Sequence, residues 1–94
     1  MRTISMEEFN SHYKVPASFI ESLCELDLIT IIVIEDEKHL QIDQINTIER
    51  LMRLHYDLNI NFEGLDVITN LINKIDRLQN EIISLNNQLD FYQK

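Results

Sequence analysis

The side chains that could carry catalysis or bind a metal ion are few and lie far apart in this sequence. Its single cysteine is Cys24, and its three histidines are His12, His39 and His55. None of the histidines has a second ligand three or four residues further along the same predicted element, the spacing that would favour a metal site. Cys24 falls within an apolar stripe, which favours a buried structural thiol over a reactive one, because reactivity needs exposure and a nearby positive charge.

No other catalytic pattern compensates for these absences. Gly64 is the only glycine, so a glycine-rich phosphate-binding loop is excluded. The consecutive acids Glu35, Asp36 and Glu37 lie in a predicted turn, where water solvates them. We therefore predict a binding protein that is not an enzyme and uses no cofactor and no metal ion.

The charge of the chain is strongly negative and unevenly distributed. The formal net charge is −8, and residues 1–43 contain three basic side chains against nine acidic ones. Negative charge also serves solubility, but solubility alone does not require this asymmetry. A segment of this sign repels nucleic acid and anionic membranes and attracts basic proteins.

The compartment and the first elements follow from simple patterns. A single cysteine needs no oxidising environment, the N-terminus has no apolar signal region, and Ile31–Ile34 is far too short to span a bilayer, so we expect a cytoplasmic protein without membrane contact.

Ser5 and Glu8 have the spacing of a capping box and predict a helix over residues 6–13. Pro16 suits the first turn of a second helix, and the two form a helix-turn-helix.

The remaining elements complete a small head followed by a long helix. Residues 31–34 and the alternating segment 39–42 predict a β-hairpin, or wing, around a turn at 35–37. Asp43 caps a third helix that reaches Leu58, and Asn59–Asn61 is a break. From Phe62 to Tyr92 the pattern is helical. We predict a winged-helix-like head over residues 1–61 and a dimerisation helix over 62–94.

The last helix carries the sharpest pattern in the chain, an apolar residue at alternating spacings of four and three. Such a heptad seam is typical of a coiled coil, and a seam about 33 Å long is too extended to be covered by so small a head. We therefore predict a homodimer, with the direction of the two helices left open. The predicted dimerisation residues are Leu71, Ile75, Leu78, Ile82, Leu85, Leu89 and Tyr92.

The predicted helix-turn-helix has the wrong polarity for DNA. Winged helices approach a duplex with basic side chains on the second helix and the wing, whereas acids occupy both elements here. We predict that DNA binding is lost and that this surface binds a basic protein. The candidate partner-binding residues are Glu21, Glu25, Asp27, Glu35, Asp36 and Glu37. A second candidate face consists of Arg50, Arg53 and His55.

The order of elements resembles the DNA-binding domain and dimerisation helix of MerR-type regulators. Three segments are also similar to the chaperone-modulator family (CbpM) of that superfamily: Arg50–Asn61, where the family has a similar R-x-x-R/H-x-x-L-x-x-D/N motif; Phe62–Ile68, with an aromatic residue before a Gly-Leu pair; and the leucine-rich Ile75–Glu81. The N-terminal half does not match that family residue by residue, and Phe62-Glu63 stands where a known member has Trp-Pro.

The resemblance implies a mainly α fold: a MerR-like winged helix-turn-helix with a small β-hairpin wing, followed by a long C-terminal coiled-coil helix. It also implies a modulator that binds the J-domain of a DnaJ/CbpA-like co-chaperone and inhibits its action on Hsp70. Two alternatives stay open at this point. One is a MerR-like transcriptional regulator that binds DNA, and the other is a coiled-coil adaptor in which the head is only a spacer.

Overall fold

The computed structural model describes residues 2–93, in which a small three-stranded sheet and three short helices form a head and a fourth helix extends from it. The mainly α architecture predicted from the sequence is confirmed. A 3-10 turn over Ile42–Gln44 precedes the third helix, and a π-helical turn over Arg53–Asp57 follows it. The elements in chain order are β1 (Thr3–Ser5), α1 (Met6–Tyr13), α2 (Ala17–Glu25), β2 (Ile31–Ile34), β3 (Glu37–Gln41), α3 (Ile45–Met52) and α4 (Phe62–Gln93).

The helix-turn-helix forms at the predicted position. The Ser5 hydroxyl accepts a hydrogen bond from the Glu8 amide at 3.1 Å and so caps α1. Lys14 ends α1 in the left-handed region with φ 56°, and its amide donates to the Asn10 carbonyl. Pro16 directly precedes α2, so that its missing amide costs no helical hydrogen bond. Local sequence therefore determines both ends of this tight turn.

The wing is a hairpin of β2 and β3, but it is part of a larger sheet than the sequence predicted. β1 adds to the other side of β3, which gives an antiparallel sheet of order β1-β3-β2. The predicted turn at 35–37 is one residue too long, because Glu37 already pairs with Ile34. Only Glu35 and Asp36 connect the strands, with φ of 50° and 64°. Positive φ at both central residues is the mark of a type I′ turn, whose twist matches that of the strands.

One apolar core holds the helices, the sheet and the start of α4 together. Leu65 of α4 is as completely buried as Leu40 of β3, and both lie in the same cluster. The first turns of α4 therefore belong to the core of the head. The fully buried side chains are Phe9, Ile20, Leu23, Leu40, Ile48, Leu51 and Leu65.

Most of α4 extends away from this core. Every residue from 73 to 93 is exposed, and the molecule measures 57 × 32 × 21 Å along its principal axes. Among the described residues, no helix combines the length and the apolar character that crossing a lipid bilayer requires. The head and the projecting part of α4 thus present two different kinds of surface.

Candidate protein-binding surfaces

Three of the six predicted partner-binding acids lie around one cleft between α1, α2 and the wing. Glu21 of α2, Asp36 of the turn and Glu37 of β3 line this cleft, which has a volume of about 500 Å³. Glu7, from the first turn of α1, joins them. We call this feature the acidic cleft. It combines four carboxylates with a single cation, Lys38.

Lys38 does not neutralise the acidic cleft. Its ammonium nitrogen lies 3.1 Å from the Glu21 carboxylate, and both side chains are about half exposed. An exposed ion pair of this kind contributes little to stability, but it engages the one cation of the cleft. The walls therefore retain the net charge of three carboxylates facing solvent.

The wall of the acidic cleft also contains a neutral acceptor. The side-chain amide oxygen of Asn10 is buried and has no hydrogen-bond partner in the described part of the chain. A buried carbonyl oxygen without a donor adds partial negative charge to its surroundings. The Asn10 oxygen is not accessible from the cleft, so it is the carboxylates that favour a cationic ligand group over an anionic one.

The other three predicted acids do not line the cleft. Glu25 and Asp27 are exposed at the C-terminal end of α2, and Glu35 is exposed at the tip of the wing. Within residues 2–93 none of these three carboxylates forms an ion pair. They extend the negative surface beyond the cleft on two sides.

Glu7 was missed by the sequence reasoning. Its only signal in the sequence is a place in the first turn of a capped helix, where acids commonly stabilise the helix dipole. Its neighbours in the cleft come from α2 and the wing, and that proximity follows from packing over long sequence separation. No local pattern could therefore have assigned Glu7 to the cleft.

The alternative face, Arg50 with Arg53 and His55, is less uniform than the sequence suggested. Both arginines are exposed, but the imidazole of His55 is half-buried. His55 Nδ1 lies 2.8 Å from the Ile60 carbonyl oxygen, which ties together the turn between α3 and α4. Its ring also stacks on Phe62, with 4.8 Å between the ring centroids. These contacts give His55 a structural role.

The other groups considered for chemistry also have structural surroundings. His39 Nδ1 lies 3.3 Å from the Thr3 hydroxyl across β1 and β3, and His12 is exposed with its ring edge-on to Tyr13. Tyr13 donates a hydrogen bond to Glu49 at 3.1 Å. Desolvation raises the pKa of the Tyr13 hydroxyl above its ordinary value, and the hydrogen bond and charge of Glu49 add to this. Residues 2–93 contain no group of three or more side chains suited to hold a metal ion.

The seven predicted dimerisation residues all lie exposed on α4. Leu78, the least exposed of them, retains 43 % of its accessible surface, and Tyr92 retains 83 %. Apolar side chains recurring along one helical face at this exposure are typical of a surface that a partner covers. The acidic cleft and this apolar seam are thus the two candidate interaction surfaces.

Comparison with known proteins agrees with this architecture. No curated protein and no solved structure gives a significant match to the chain. A family model described as "MerR HTH family regulatory protein" matches residues 4–87, which include the helix-turn-helix, the wing and most of α4. With the match extending over far more than half of its length, the chain belongs to the family of MerR helix-turn-helix regulatory proteins.

Proposed function

We propose that this protein is a non-enzymatic modulator that binds the J-domain of a DnaJ/CbpA-like co-chaperone through its acidic surface and inhibits it. The observation that carries the proposal is the acidic cleft. It occupies the helix-turn-helix and wing, the elements through which a winged helix meets DNA, and its net charge is negative. The similarity of residues 50–81 to chaperone modulators supplies the class of partner.

The charges suggest how binding would proceed. A J-domain presents a basic helix to Hsp70, and carboxylates around the cleft attract such a helix from a distance and set its orientation. Asp36 and Glu37 then form charge-assisted hydrogen bonds with its lysine or arginine side chains. Because the same basic surface is needed for contact with Hsp70, binding would inhibit the co-chaperone by competition.

The apolar seam of α4 gives the modulator its quaternary structure in this proposal. Two copies would pair through the apolar seam from Leu71 to Tyr92. The resulting homodimer would carry one head at the start of each α4. Burying these side chains removes a large apolar surface from water, which is the main driving force for association. Partner binding and dimerisation would then use separate surfaces of the same chain.

Titration of a purified J-domain against two charge-matched variants tests the proposal. The double substitution Asp36→Gly and Glu37→Gln removes two carboxylates of the acidic cleft and retains the hairpin turn. The control, Asp76→Asn with Asp90→Asn, removes two exposed carboxylates from α4. We expect the cleft variant to bind about thirtyfold more weakly, since two contacts are lost and each is worth roughly 1 kcal/mol in water.

Two further readouts make the result decisive. Wild-type affinity should fall as salt rises, and the protein should suppress J-domain-stimulated ATP hydrolysis by Hsp70 more effectively than the cleft variant does. Equal affinity of wild type and the cleft variant, or affinity that ignores salt, would contradict binding through the acidic cleft. Loss of binding in the control alone would point to α4 and to the coiled-coil adaptor.

The family match itself supports a second candidate, a transcriptional regulator that binds DNA. The wing and α2 argue against it, because phosphates would meet Asp36 and Glu25 rather than basic residues. A mobility-shift assay against random and genomic fragments distinguishes the two. Sequence-specific binding at physiological salt would favour the regulator.

A further inference from the structure

The outer strand of the wing has an open edge. In the sheet order β1-β3-β2, β3 is paired on both sides, whereas β2 is paired with β3 only. Ile31 packs against the core of the head, and among the described residues no strand pairs with the outer edge of β2. An edge strand exposes backbone donors and acceptors that another extended chain can pair with.

The register identifies which backbone groups face outward. A two-residue turn is closed by a hydrogen-bonded pair, which here is Ile34 with Glu37. Hydrogen-bonded and non-hydrogen-bonded pairs alternate along an antiparallel ladder, so Ile32 also bonds to β3 while Ile31 and Val33 do not. The amide and carbonyl groups of Ile31 and Val33 therefore point toward the open edge.

The start of β2 is closed on its β3 side by a side chain. The side-chain oxygen of Gln44 accepts a hydrogen bond from the backbone N–H of Thr30 at 2.8 Å, and its side-chain nitrogen donates one to the Thr30 carbonyl at 3.0 Å. The Gln44 side chain thus takes the place of a strand partner. The inner side of the strand is thus satisfied from Thr30 to Ile34. What remains available lies on the outer side alone.

The side chains of β2 lack the usual protection of an edge. All four are β-branched and apolar, and Val33 and Ile34 retain 65 % and 41 % of their accessible surface. Natural edge strands commonly carry a charge or a proline, which discourage pairing with another chain. Charge appears only at the end of β2, where Glu35 and Asp36 form no ion pair among the described residues.

We propose that β2 is a docking edge for an extended, basic segment of a partner protein, which adds to the sheet as a fourth strand beside Ile31–Ile34. The backbone of Ile31 and Val33 forms the ladder, and the carboxylates of the turn attract the cations of the segment. A second copy of this chain fits less well, because its own β2 brings no cation to those carboxylates. The docking edge goes beyond the proposed function: Asp36 borders both surfaces, but the ladder forms through backbone groups outside the acidic cleft.

A short synthetic peptide with alternating lysine and valine tests the docking edge on the full-length protein. We expect it to slow hydrogen exchange at the amides of Ile31 and Val33, which are open in the free protein, and to leave Ile32 and Ile34 as protected as before. The same peptide with N-methyl groups on alternate residues, along the edge that would pair with β2, is the matched ligand control. It keeps the charge and cannot form the ladder.

A substitution in the protein supplies the second arm. Val33→Pro removes one outward amide and no hydrogen bond to β3, so it tests the docking edge without breaking the hairpin. We expect the peptide to bind this variant about fivefold to tenfold more weakly, because one backbone hydrogen bond is lost and the peptide is aligned less well on the strand. Val33→Thr retains the amide and should bind like the wild type.

Three results would overturn the docking edge: unchanged exchange at Ile31 and Val33 on adding peptide, equal affinity for the N-methylated peptide, or equal affinity of a folded Val33→Pro variant. Circular dichroism and a cooperative thermal unfolding transition show whether that variant is folded. Exchange protection at Ile31 and Val33 that rises with protein concentration, without peptide, would instead show self-pairing of β2. J-domain binding can fail while the docking edge holds, so the two proposals are separable.

Discussion

Glu35 and Asp36 both occupy the left-handed region of backbone conformation. Positive φ is strained for glutamate, is tolerated better by aspartate and asparagine, and has no steric cost for glycine. Strain retained at such positions is common at functional sites. Here the strained residues place two carboxylates at the tip of the wing, where the proposed basic partner would arrive.

Relieving that strain should stabilise the protein. We expect Glu35→Asn with Asp36→Gly to raise the free energy of unfolding by about 1 kcal/mol and Tm by roughly 4–8 °C, because Asn-Gly is a favoured type I′ pair. Thermal unfolding followed by circular dichroism measures this. The control Glu35→Gln with Asp36→Gln removes the same charges and leaves the strain. An equal gain in the control would mean that charge repulsion, not backbone strain, is responsible.

Tyr13 should make stability fall at alkaline pH. Its pKa is raised in the folded state, so the folded protein holds the phenolic proton at pH values where the unfolded chain releases it. This contribution is fully present below the ordinary value of 10.0 and is lost progressively as pH rises above it. Urea unfolding at a series of alkaline pH values should show the decline, and Tyr13→Phe should reduce it. An unchanged decline in Tyr13→Phe would assign the effect to other groups.

At the residue scale, the sequence predicted exposure and charge well and proximity poorly. Glu21, Asp36 and Glu37 line one cleft, whereas Glu25 and Asp27 face elsewhere. Nothing in the local pattern separates these two groups. Whether an acid lines the cleft depends on how the wing packs against α2, and tertiary contacts determine that packing.

At the scale of elements, the start of α4 shows a close approach that only glycine permits. A Cβ on Gly64 would lie 2.6 Å from Ile60 Cγ2 and 3.2 Å from the Asn61 side-chain oxygen. That oxygen also accepts a hydrogen bond from the Gly64 amide at 2.8 Å and caps the helix. Gly64 therefore lets the chain turn sharply from the break into α4.

We expect Gly64→Ala to destabilise the protein by about 1 kcal/mol, although alanine is the better helix former, because the Ile60 side chain is stiff and partly buried. Chemical denaturation measures the change. In an Ile60→Ala background the same substitution should cost less, since the clashing methyl group is absent. Equal costs in both backgrounds would show that Ile60 is not the obstacle.

Elements with a sequence pattern of their own were predictable, and elements without one were not. The bounds of α1 and α4 follow from capping residues and apolar periodicity, and both were predicted to within a residue. β1 was missed because three residues, Thr3–Ser5, are too few to show alternation, and their strand conformation depends on pairing with β3. The π-helical turn over Arg53–Asp57 was read as a continuation of α3 because it has no sequence signal of its own.

At the scale of the whole molecule, the exposed seam of α4 predicts concentration-dependent behaviour. Most of the stability of a helix in a protein comes from packing of its apolar face, so the exposed seam of α4 needs a partner. We expect light scattering to show a dimer, and Tm to rise with protein concentration. Leu78→Lys with Ile82→Lys should yield monomers, because both charges would lie within the dimer interface.

The control for the dimer is Ser84→Lys with Asn87→Lys, which adds the same charge to α4 outside the predicted seam. It should remain dimeric. Monomeric wild type at high protein concentration, or a dimer that survives both substitutions in the seam, would contradict pairing through Leu71 to Tyr92.

The burial of Leu65 also limits how α4 can move relative to the head. With Leu65 inside the core and Phe62 packed against Phe19, the arm has no free hinge where it leaves the head. A homodimer built on such arms would hold its two acidic clefts at a set spacing. Partners tethered at a matching distance would then gain avidity through a high effective concentration, whereas mismatched pairs would bind one head at a time. The dimer would in that case select partners by the distance between them.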